Sequence, residues 1–461
     1  MDLSNFFNAR SIAIVGVSRE PSKVGHAIFK NLLNSGFEGK IFIVNPNADE
    51  ILDHKSYKSV SSIKEKVNLA IIAVPSDLVI KVIKDCSRKG IKDVVIISSG
   101  FKEIGNYKLE NKLKSSLKKH KIRCIGPNCL GIYNAHNNID TLFLPLEKMK
   151  RPKPGDISFI CQSGALGAAL LDFAAEENYG FAKFISYGNA ENIDESDILE
   201  YLANDKETKV ICLYIEGVKN GKKFLETSKK VSKTKPIIAI KAGTTEAGKK
   251  AALSHTGSLA GSSEIYSGVF KQANIIAAET LEEMFDLVKL LDKLKTMPRN
   301  NRIQVITNGG GYGILAADSI SKNNLSLAIP SKKTIDFLKS KFQSRHVISN
   351  PMDLLGDATT DMYKTAIESC LKDSNIDILV IIILYQTPSL STDITSMISG
   401  LNAKQKKPIV IISTGSKSTK DLRLALENNS IPCFNFPENA IKSIKKLVDY
   451  CNRKNRLYIK K

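Results

Sequence analysis

Residues 249–261, KKAALSHTGSLAG, set one imidazole, His255, among alanine, serine, threonine and glycine, with almost nothing bulky within several residues of it. A core histidine is normally walled in by large apolar side chains, and a helical one by good helix formers. A run this small can lie flat on a neighbouring surface and can move. An imidazole nucleophile works best when a carboxylate bonds its far ring nitrogen, which fixes the tautomer and leaves the other nitrogen to attack. Glu216, in LYIEGVK at the end of an apolar run, is a carboxylate of that kind. A phosphorylated imidazole would carry close to two negative charges and several acceptor oxygens, and needs donors that are not themselves nucleophiles. Two stretches offer them. FICQSGALGAALLDFAAEE and VITNGGGYGILAADSI each read as strand, small polar turn and helix. Their turns, Gln162–Ser163–Gly164 and Asn308–Gly309–Gly310–Gly311, stand at helix N-termini, where N–H groups are unpaired and the helix dipole is positive. One such turn is more often packing than phosphate binding. Two of them with a histidine on a small-residue segment form a constellation.

The elements that must position these residues follow one pattern. Short apolar, β-branched runs alternate with amphipathic stretches, as in parallel sheets covered on both faces. A first set runs from SIAIVGVS to IRCIGPN, and the Pro- and Lys-rich PLEKMKRPKPGD then reads as a linker. A second set runs from DISFICQSG to ANIIAAE and closes with the helical LEEMFDLVKLLDKL; Pro298, Arg299 and Asn300 mark a further break. A third set runs from RIQVITNGGG to IPCFNFP and ends in a basic helix. The length, 461 residues, suits about three domains. The expectation is an α/β chain of three doubly wound domains, at residues 1–140, 141–297 and 298–461, with ligands at the carboxyl ends of the strands.

The first set opens with SIAIVGVSREPSKVGHAIFKNLLNSG. Gly16 and Ser18 let the backbone approach a ligand, and Gly25 opens a helix whose first N–H groups suit a phosphate. The dinucleotide fingerprint G-x-G-x-x-G is not met, because Ser18 replaces its second glycine. The second strand ends in Asn45–Pro46, where a ribose-binding Asp or Glu would stand. Hydride transfer with a nicotinamide cofactor is therefore disfavoured, whereas another phosphorylated adenine nucleotide is not. Two more strand-end motifs follow, AVPSD with Val74 and Pro75, and GPNCLG with Asn128.

Together these motifs resemble the coenzyme A-binding domain of succinyl-CoA synthetase and the wider NDP-forming acyl-CoA synthetases, GPNC being the most diagnostic. The resemblance implies a Rossmann-like CoA-binding domain followed by two flavodoxin-like domains. It implies that Gly16, Ser18, Lys23, Asn45, Pro46, Val74, Pro75, Gly100 and Asn128 bind CoA, and it leaves open a contact of His26 with a CoA phosphate. His255 would be phosphorylated, with Glu216 on its ring and Ser163, Gly164, Gly309, Gly310 and Gly311 on the phosphoryl group. NPMDLLGDATTDMY, residues 350–363, also resembles a family motif, with Asp353 and Asp357 open to a structural or a functional reading. The other histidines, His54, His120, His136 and His346, read as surface or structural. The domain order is similar to that of the α subunits of ADP-forming acetyl-CoA synthetases. That implies a reversible acid–thiol ligase using acyl-CoA, phosphate and small carboxylic acids. It further implies an ATP-grasp β partner carrying ADP or ATP and Mg, and an α2β2 heterotetramer. No ~200-residue stretch is left over for an ATP-grasp fold on this chain. A non-catalytic CoA-binding or sensing subunit is the alternative.

Composition excludes several other classes. Lys and Arg outnumber Asp and Glu by 67 to 47, but the lysines are scattered over helical stretches such as LENKLKSSLKKHK, with no Trp and no nucleic-acid motif, so no nucleic-acid partner is expected. No apolar run reaches the ~20 residues of a membrane helix, and the first residues lack a signal-peptide pattern. A cytoplasmic chain is expected. The eight cysteines form no C-x-x-C and no pairing with histidine at ligand spacing, so they read as buried thiols and not as a metal site; no tightly bound organic cofactor is expected either.

Overall fold

Most apolar runs become strands buried on both faces, and the strands form three sheets among the described residues. The computed structural model describes residues 2–256, 262–404 and 407–459, and divides into two units, Met1–Ala277 and Ala278–Lys461. In the first sheet β1 (Ser11–Val15) pairs with β2 (Lys40–Val44) on one side, and β3 (Glu50–Ile51) and β4 (His54–Tyr57) extend that side. On its other side lie β5 (Leu69–Ile72), β6 (Asp93–Ile96) and β7 (Arg123–Ile125). The order β4-β2-β1-β5-β6-β7 is parallel throughout and reverses at β1, which puts the crevice between the ends of β1 and β5.

The second sheet contains β8 (Ile132–Asn134), β9 (Ile139–Asp140), β10 (Pro154–Cys161), β11 (Phe181–Ser186), β12 (Val210–Ile215), β13 (Ile237–Lys241) and β14 (Ile276–Ala277). Its parallel part runs β11-β10-β12-β13-β14, the flavodoxin-like order, and its reversal lies between β10 and β12. The third sheet, in the second unit, repeats that order. β16 (Ser326–Leu327), β15 (Arg302–Thr307), β18 (Ile378–Ile382), β19 (Ile409–Ile412) and β20 (Cys433–Phe434) lie side by side, and β17 (Met352–Asp353) pairs with the end of β15. A short strand run cannot be told from a loop by its periodicity, so β8, β9 and β17 were not legible in the pattern.

Three elements stand across the boundaries that the sequence suggests. β8 and β9 lie within residues 1–140, yet β8 pairs antiparallel with β11 and joins the second sheet, and the Asn134 amide donates to the Phe7 carbonyl at 2.8 Å. The helix Leu281–Lys293 precedes residue 297, yet it belongs to the second unit and packs on the helix Pro437–Lys454. Its buried Met284, Leu287, Val288 and Leu291 need a partner, and Lys446 reaches Glu283 at 3.0 Å across that contact. The stretch read as a linker also holds a core group. Arg151 there donates to the buried Asp140 carboxylate at 2.8 Å.

All eight cysteines are unbridged, seven of them buried and Cys451 half-buried. Among the described residues no helix is long and apolar enough to cross a membrane.

In the second unit Arg302, at the start of β15, grips Asp377 just before β18 through two bonds of 2.7 and 3.0 Å. Burial works to raise the Asp377 carboxyl, but the hydrogen bonds from the Arg302 side chain and backbone outweigh it and hold it below the usual carboxylate range. A lowered value in the folded chain means stability that is present above the ordinary carboxylate pKa and is lost as pH falls through the folded value. Asp377→Asn is expected to lower the melting temperature at neutral pH by roughly 4–8 °C. The gap between variant and wild type should close as the pH is taken below about 4 in a series of thermal melts.

Candidate active site

At the reversal of the first sheet the backbone is packed too closely for side chains. Gly16 follows β1 with a φ of +97°, and a Cβ there would lie 2.4 Å from the Ala73 carbonyl oxygen. Gly25, at the start of the helix Val24–Asn34, rests on Gly16 itself, and its Cβ would stand 2.1 Å from the Gly16 oxygen. Asn45 is turned inward and donates to the Val17 carbonyl at 2.8 Å, while its own Oδ1 accepts the Asn47 N–H at 2.8 Å. This asparagine braces the loop after β1 with neutral groups, at the position where a ribose-binding carboxylate would stand. His26 is buried, and its Nδ1 donates to the Ser18 carbonyl at 2.8 Å.

At the reversal of the second sheet β10 and β12 diverge, and an amide side chain fills the split. The Gln162 Oε1 accepts the N–H of Glu216 at 2.7 Å and that of Gly217 at 3.0 Å, and Tyr187 Oη donates to the same atom at 3.3 Å. Ser163 follows as the N-cap of the helix Gly164–Glu176, accepting from the Leu166 N–H at 3.5 Å. Gly167 presses this helix onto the sheet, since a Cβ there would lie 2.5 Å from Phe184 Cζ. The open N-terminus and the buried Glu216 carboxylate thus stand side by side. Behind Glu216, the Lys241 ammonium donates to the Glu216 carbonyl at 2.9 Å and lies 4.8 Å from the Tyr266 ring; burial lowers its pKa.

The two reversals meet in one cleft of about 720 Å³. Val74, Pro75, Ser98 and Asn128 line it from the first sheet, and Gln162, Ser163, Gly164 and Glu216 from the second. The turns that bound it are stacked backbone on backbone. Asn128 adopts a φ of +57°, and Gly188, after β11, lies so close that a Cβ would meet the Asn128 oxygen at 2.2 Å. Asn189 and Glu191 donate their N–H groups to Pro127 and Gly126 at 2.9 and 3.0 Å.

One wall of the cleft is a charge network that sequence reasoning missed. Glu103 accepts the N–H of Gly100 at 2.6 Å and of Phe101 at 3.0 Å, and its other oxygen accepts from the Asn189 amide at 2.7 Å. Lys102 donates to the Asn189 carbonyl at 2.9 Å and lies 3.9 Å from Glu110. Burial, with Lys219 nearby, pushes the Lys102 amine down to about 8, and burial with Glu110 alongside pushes the Glu191 carboxyl up to about 7. The signal available was FKEIG directly after the strand-end Gly100.

The second unit repeats the amide bridge. Asn308, after β15, donates to the Leu384 carbonyl at 3.2 Å and accepts the Leu384 N–H at 2.8 Å, closing the split between β15 and β18. Gly309 caps the helix Gly310–Lys322, its N–H held by Thr307 Oγ1 at 2.9 Å. Asp353 stands over this N-terminus, where a Cβ on Gly310 would lie 2.7 Å from its Oδ2. Asp357, in contrast, is an exposed partner of Arg345.

Of the residues singled out in the sequence, Val74, Pro75, Asn128, Ser163, Gly164 and Glu216 come together in the cleft. Gly16, Ser18, Lys23, Asn45 and Pro46 cluster at the ends of β1 and β2 and do not line it; Gly100 turns with a φ of +108° behind its wall. Gly309, Gly310 and Gly311 belong to the second unit. The backbone around His255 is helical over Glu246–Thr256, where the sequence suggested an open loop, and the His255 side chain lies outside the described residues.

Comparison with known proteins bears on both halves of this cleft. A CoA binding domain family matches residues 10–135, and a succinyl-CoA ligase like flavodoxin domain family matches residues 154–291. The chain is 46% identical over 445 residues to an acetate–CoA ligase (ADP-forming) of Methanocaldococcus jannaschii, covering 96% of this chain and 62% of that protein. It is 40% identical over 453 residues to the acetate–CoA ligase (ADP-forming) II subunit alpha of Pyrococcus furiosus, covering 97% of each. Among solved structures it is similar to the dinucleotide forming acetyl-coenzyme A synthetase 1 of Candidatus Korarchaeum cryptofilum, in complex with phosphate and ADP. The TM-score is 0.91 and the identity 36%, over 98% of both chains.

The Gln162 bridge makes a direct prediction. Gln162→Ala strips the acceptor from two strand-end N–H groups and should destabilise the first unit by about 1–3 kcal/mol. Urea unfolding checks this, and an unchanged midpoint would mean that those N–H groups find another partner.

Proposed function

The chain belongs to the family of ADP-forming acetate–CoA ligases, and we propose that it is the α component, which binds CoA and carries the phosphoryl group. The observation that carries this reading is the single cleft in which strand ends of the first sheet meet the helix N-terminus and Glu216 of the second. A thioester anchored along the first sheet would present its carbonyl at Ser163 and Gly164. The wider family's domains are consistent with it: a CoA binding domain followed by a succinyl-CoA ligase like flavodoxin domain.

The proposed reaction has three transfers. A phosphate oxygen attacks the thioester carbonyl, the C–S bond breaks, and CoA leaves as the thiol, giving an acyl phosphate. His255 attacks the phosphorus, the P–O bond to the acyl group breaks, and the carboxylic acid departs. The phosphoryl group then passes from the imidazole to the terminal phosphate of ADP, giving ATP and restoring His255. Glu216 would orient the ring in the second transfer, and the N–H groups at Ser163–Gly164 would hold the phosphoryl oxygens; Gly309–Gly311, at a helix start of the second unit, offer a donor set of the same kind. Neither donor set is a nucleophile that could divert the group. Phosphoryl transfer depends mainly on positioning and charge stabilisation, which suits a site built from backbone donors. Each step is reversible, so the same machinery could make ATP or activate an acid.

The nucleotide and Mg belong, in this proposal, to an ATP-grasp β partner, in a cytoplasmic α2β2 assembly. The M. jannaschii relative extends well beyond the region matched here, since the chain covers 62% of it, whereas the P. furiosus α subunit is covered to 97%.

The test is labelling with radioactive phosphate and acetyl-CoA, with and without the partner, next to His255→Ala and Glu216→Gln. Acid-labile, base-stable label on the wild type and none on His255→Ala is the expected result. Glu216→Gln should keep the site but slow labelling by about 10²-fold or more, the range for a group that tunes an acid–base partner. A chain that binds CoA yet takes no label with its partner present would instead be a CoA sensor.

A further inference from the structure

The cleft has an apolar side that the transfers above do not use. Phe143 and Leu144 line it from the segment after β9, and Ala165 and Ala168 line it from the first turns of the helix Gly164–Glu176. Gly167 faces the sheet from that helix, with its Cβ position 2.5 Å from Phe184 and 3.3 Å from Cys161, so the two alanines, three residues apart, share the opposite, cleft-facing stripe. Leu130 closes the corner, because a Cβ on Gly164 would lie 3.6 Å from Leu130 Cβ. This apolar corner therefore begins one residue away from the helix N-terminus at Ser163.

The Phe143–Leu144 segment is held by buried polar groups. Asn31, 2% exposed, donates to the carbonyls of Leu142 and Leu144 at 2.8 Å each. Arg151 donates to the Leu144 carbonyl at 2.8 Å and to the Met149 carbonyl at 2.9 Å, and its own guanidinium is fixed by Asp140. Releasing the segment would strand these donors away from water, so the wall is pre-set and not a flap. Its polarity is equally definite. Among the described residues that line the cleft Lys102 is the one cation, and its ammonium is bonded to the Asn189 carbonyl; the two carboxylates are Glu103 and Glu216.

We propose that Phe143, Leu144, Ala165 and Ala168 form the acyl chamber, which sets the size of the acid and admits an apolar monocarboxylic acyl group. The inference rests on the reading of the cleft as the thioester site. The carbonyl under attack must lie against Ser163–Gly164, and the group attached to it must then enter the nearest space, which is this corner. The ring of Phe143 limits its length and the small alanine stripe leaves its width. A second carboxylate on the acyl tail would meet only apolar carbon and Glu216.

The test compares phosphate-dependent CoA release from acetyl-CoA, butyryl-CoA, phenylacetyl-CoA and succinyl-CoA by the chain with its ATP-grasp partner. Phe143→Ala should raise kcat/KM for phenylacetyl-CoA relative to acetyl-CoA by about tenfold or more, and Ala168→Leu should lower butyryl-CoA relative to acetyl-CoA by about the same factor, the scale of a methylene or two in an apolar pocket. Succinyl-CoA should stay the poorest substrate of all three proteins. The two changes point in opposite directions, so a folding defect cannot mimic the pair. Variants that scale all four thioesters equally would overturn the proposal, since the wall would then touch only the shared pantetheine arm. A wild type that releases CoA from none of the four overturns the thioester reading itself, and the chamber with it.

Discussion

Where a parallel sheet reverses its strand order, two neighbouring strands end side by side while their connections leave in opposite directions, and the last N–H groups lose their ladder partners. The chain closes that gap twice with an amide side chain. Gln162 takes the N–H groups of Glu216 and Gly217, and Asn308 takes and gives a bond to Leu384. An amide is suited to this place. It is neutral, so it adds no charge to an anion site, and it has the acceptor that a terminal N–H group lacks. Because the amide is the last residue before Ser163 or Gly309, satisfying the strand end also fixes where each helix begins and where its open N–H groups point. The same bond sets Glu216 beside the first of these helices. Geometry of the candidate site thus follows from a backbone hydrogen-bonding need.

A second constraint is close packing of turns. Gly16, Gly25 and Gly188 each lie within a distance of neighbouring backbone that excludes a Cβ. At Gly188 the neighbours are the carbonyls of Pro127 and Asn128, so the turn after β7 rests directly on the turn after β11. The Glu103–Asn189 and Lys102–Asn189 bonds tie the same place from the side. Within the first unit the CoA-type strand ends and the helix N-terminus are consequently one rigid construction. A ligand that spans them would find both halves already in register, which avoids the ordering cost that a flexible junction would add.

The sequence was legible wherever a rule has a short range. Alternation of apolar runs and helical stretches implies the parallel body of each of the three sheets, and the strand-end turns at Val74–Pro75, Asn128 and Ser163–Gly164 converge as their positions at carboxyl ends imply. What was not legible depends on pairing at a distance. β8 is three residues long, and only its partner β11 makes it a strand. Arg151 sits in a Pro- and Lys-rich stretch that composition marks as linker, yet Asp140 and the Leu144 carbonyl draw it into the interior. Lys102 and Glu103 look like solvated charges, and their burial comes from the loop at Asn189, on a different sheet. The helix through Thr256 also runs against the small-residue reading of that segment, since alanine and lysine are good helix formers and outweigh the serines there.

The charge balance points to how an anion would be held. The chain carries a net charge of +20, yet the cleft gains little from it, because among its described lining residues one lysine faces two glutamates. The surplus lies on helix faces such as Tyr107–His120, with its run of lysines. Stabilisation of a phosphoryl group in the cleft would therefore fall to backbone N–H groups and helix dipoles. These have properties that lysines lack. They keep their proton at every working pH, they cannot be phosphorylated, and a helix start fixed by packing needs no reorganisation as charge develops. Burial pushes the Lys102 amine down to about 8 and the Glu191 carboxyl up to about 7, and both groups belong to the wall and not to the donor set. In the proposed reaction the donor set would keep its protons at every working pH, and the covalent chemistry would fall to His255.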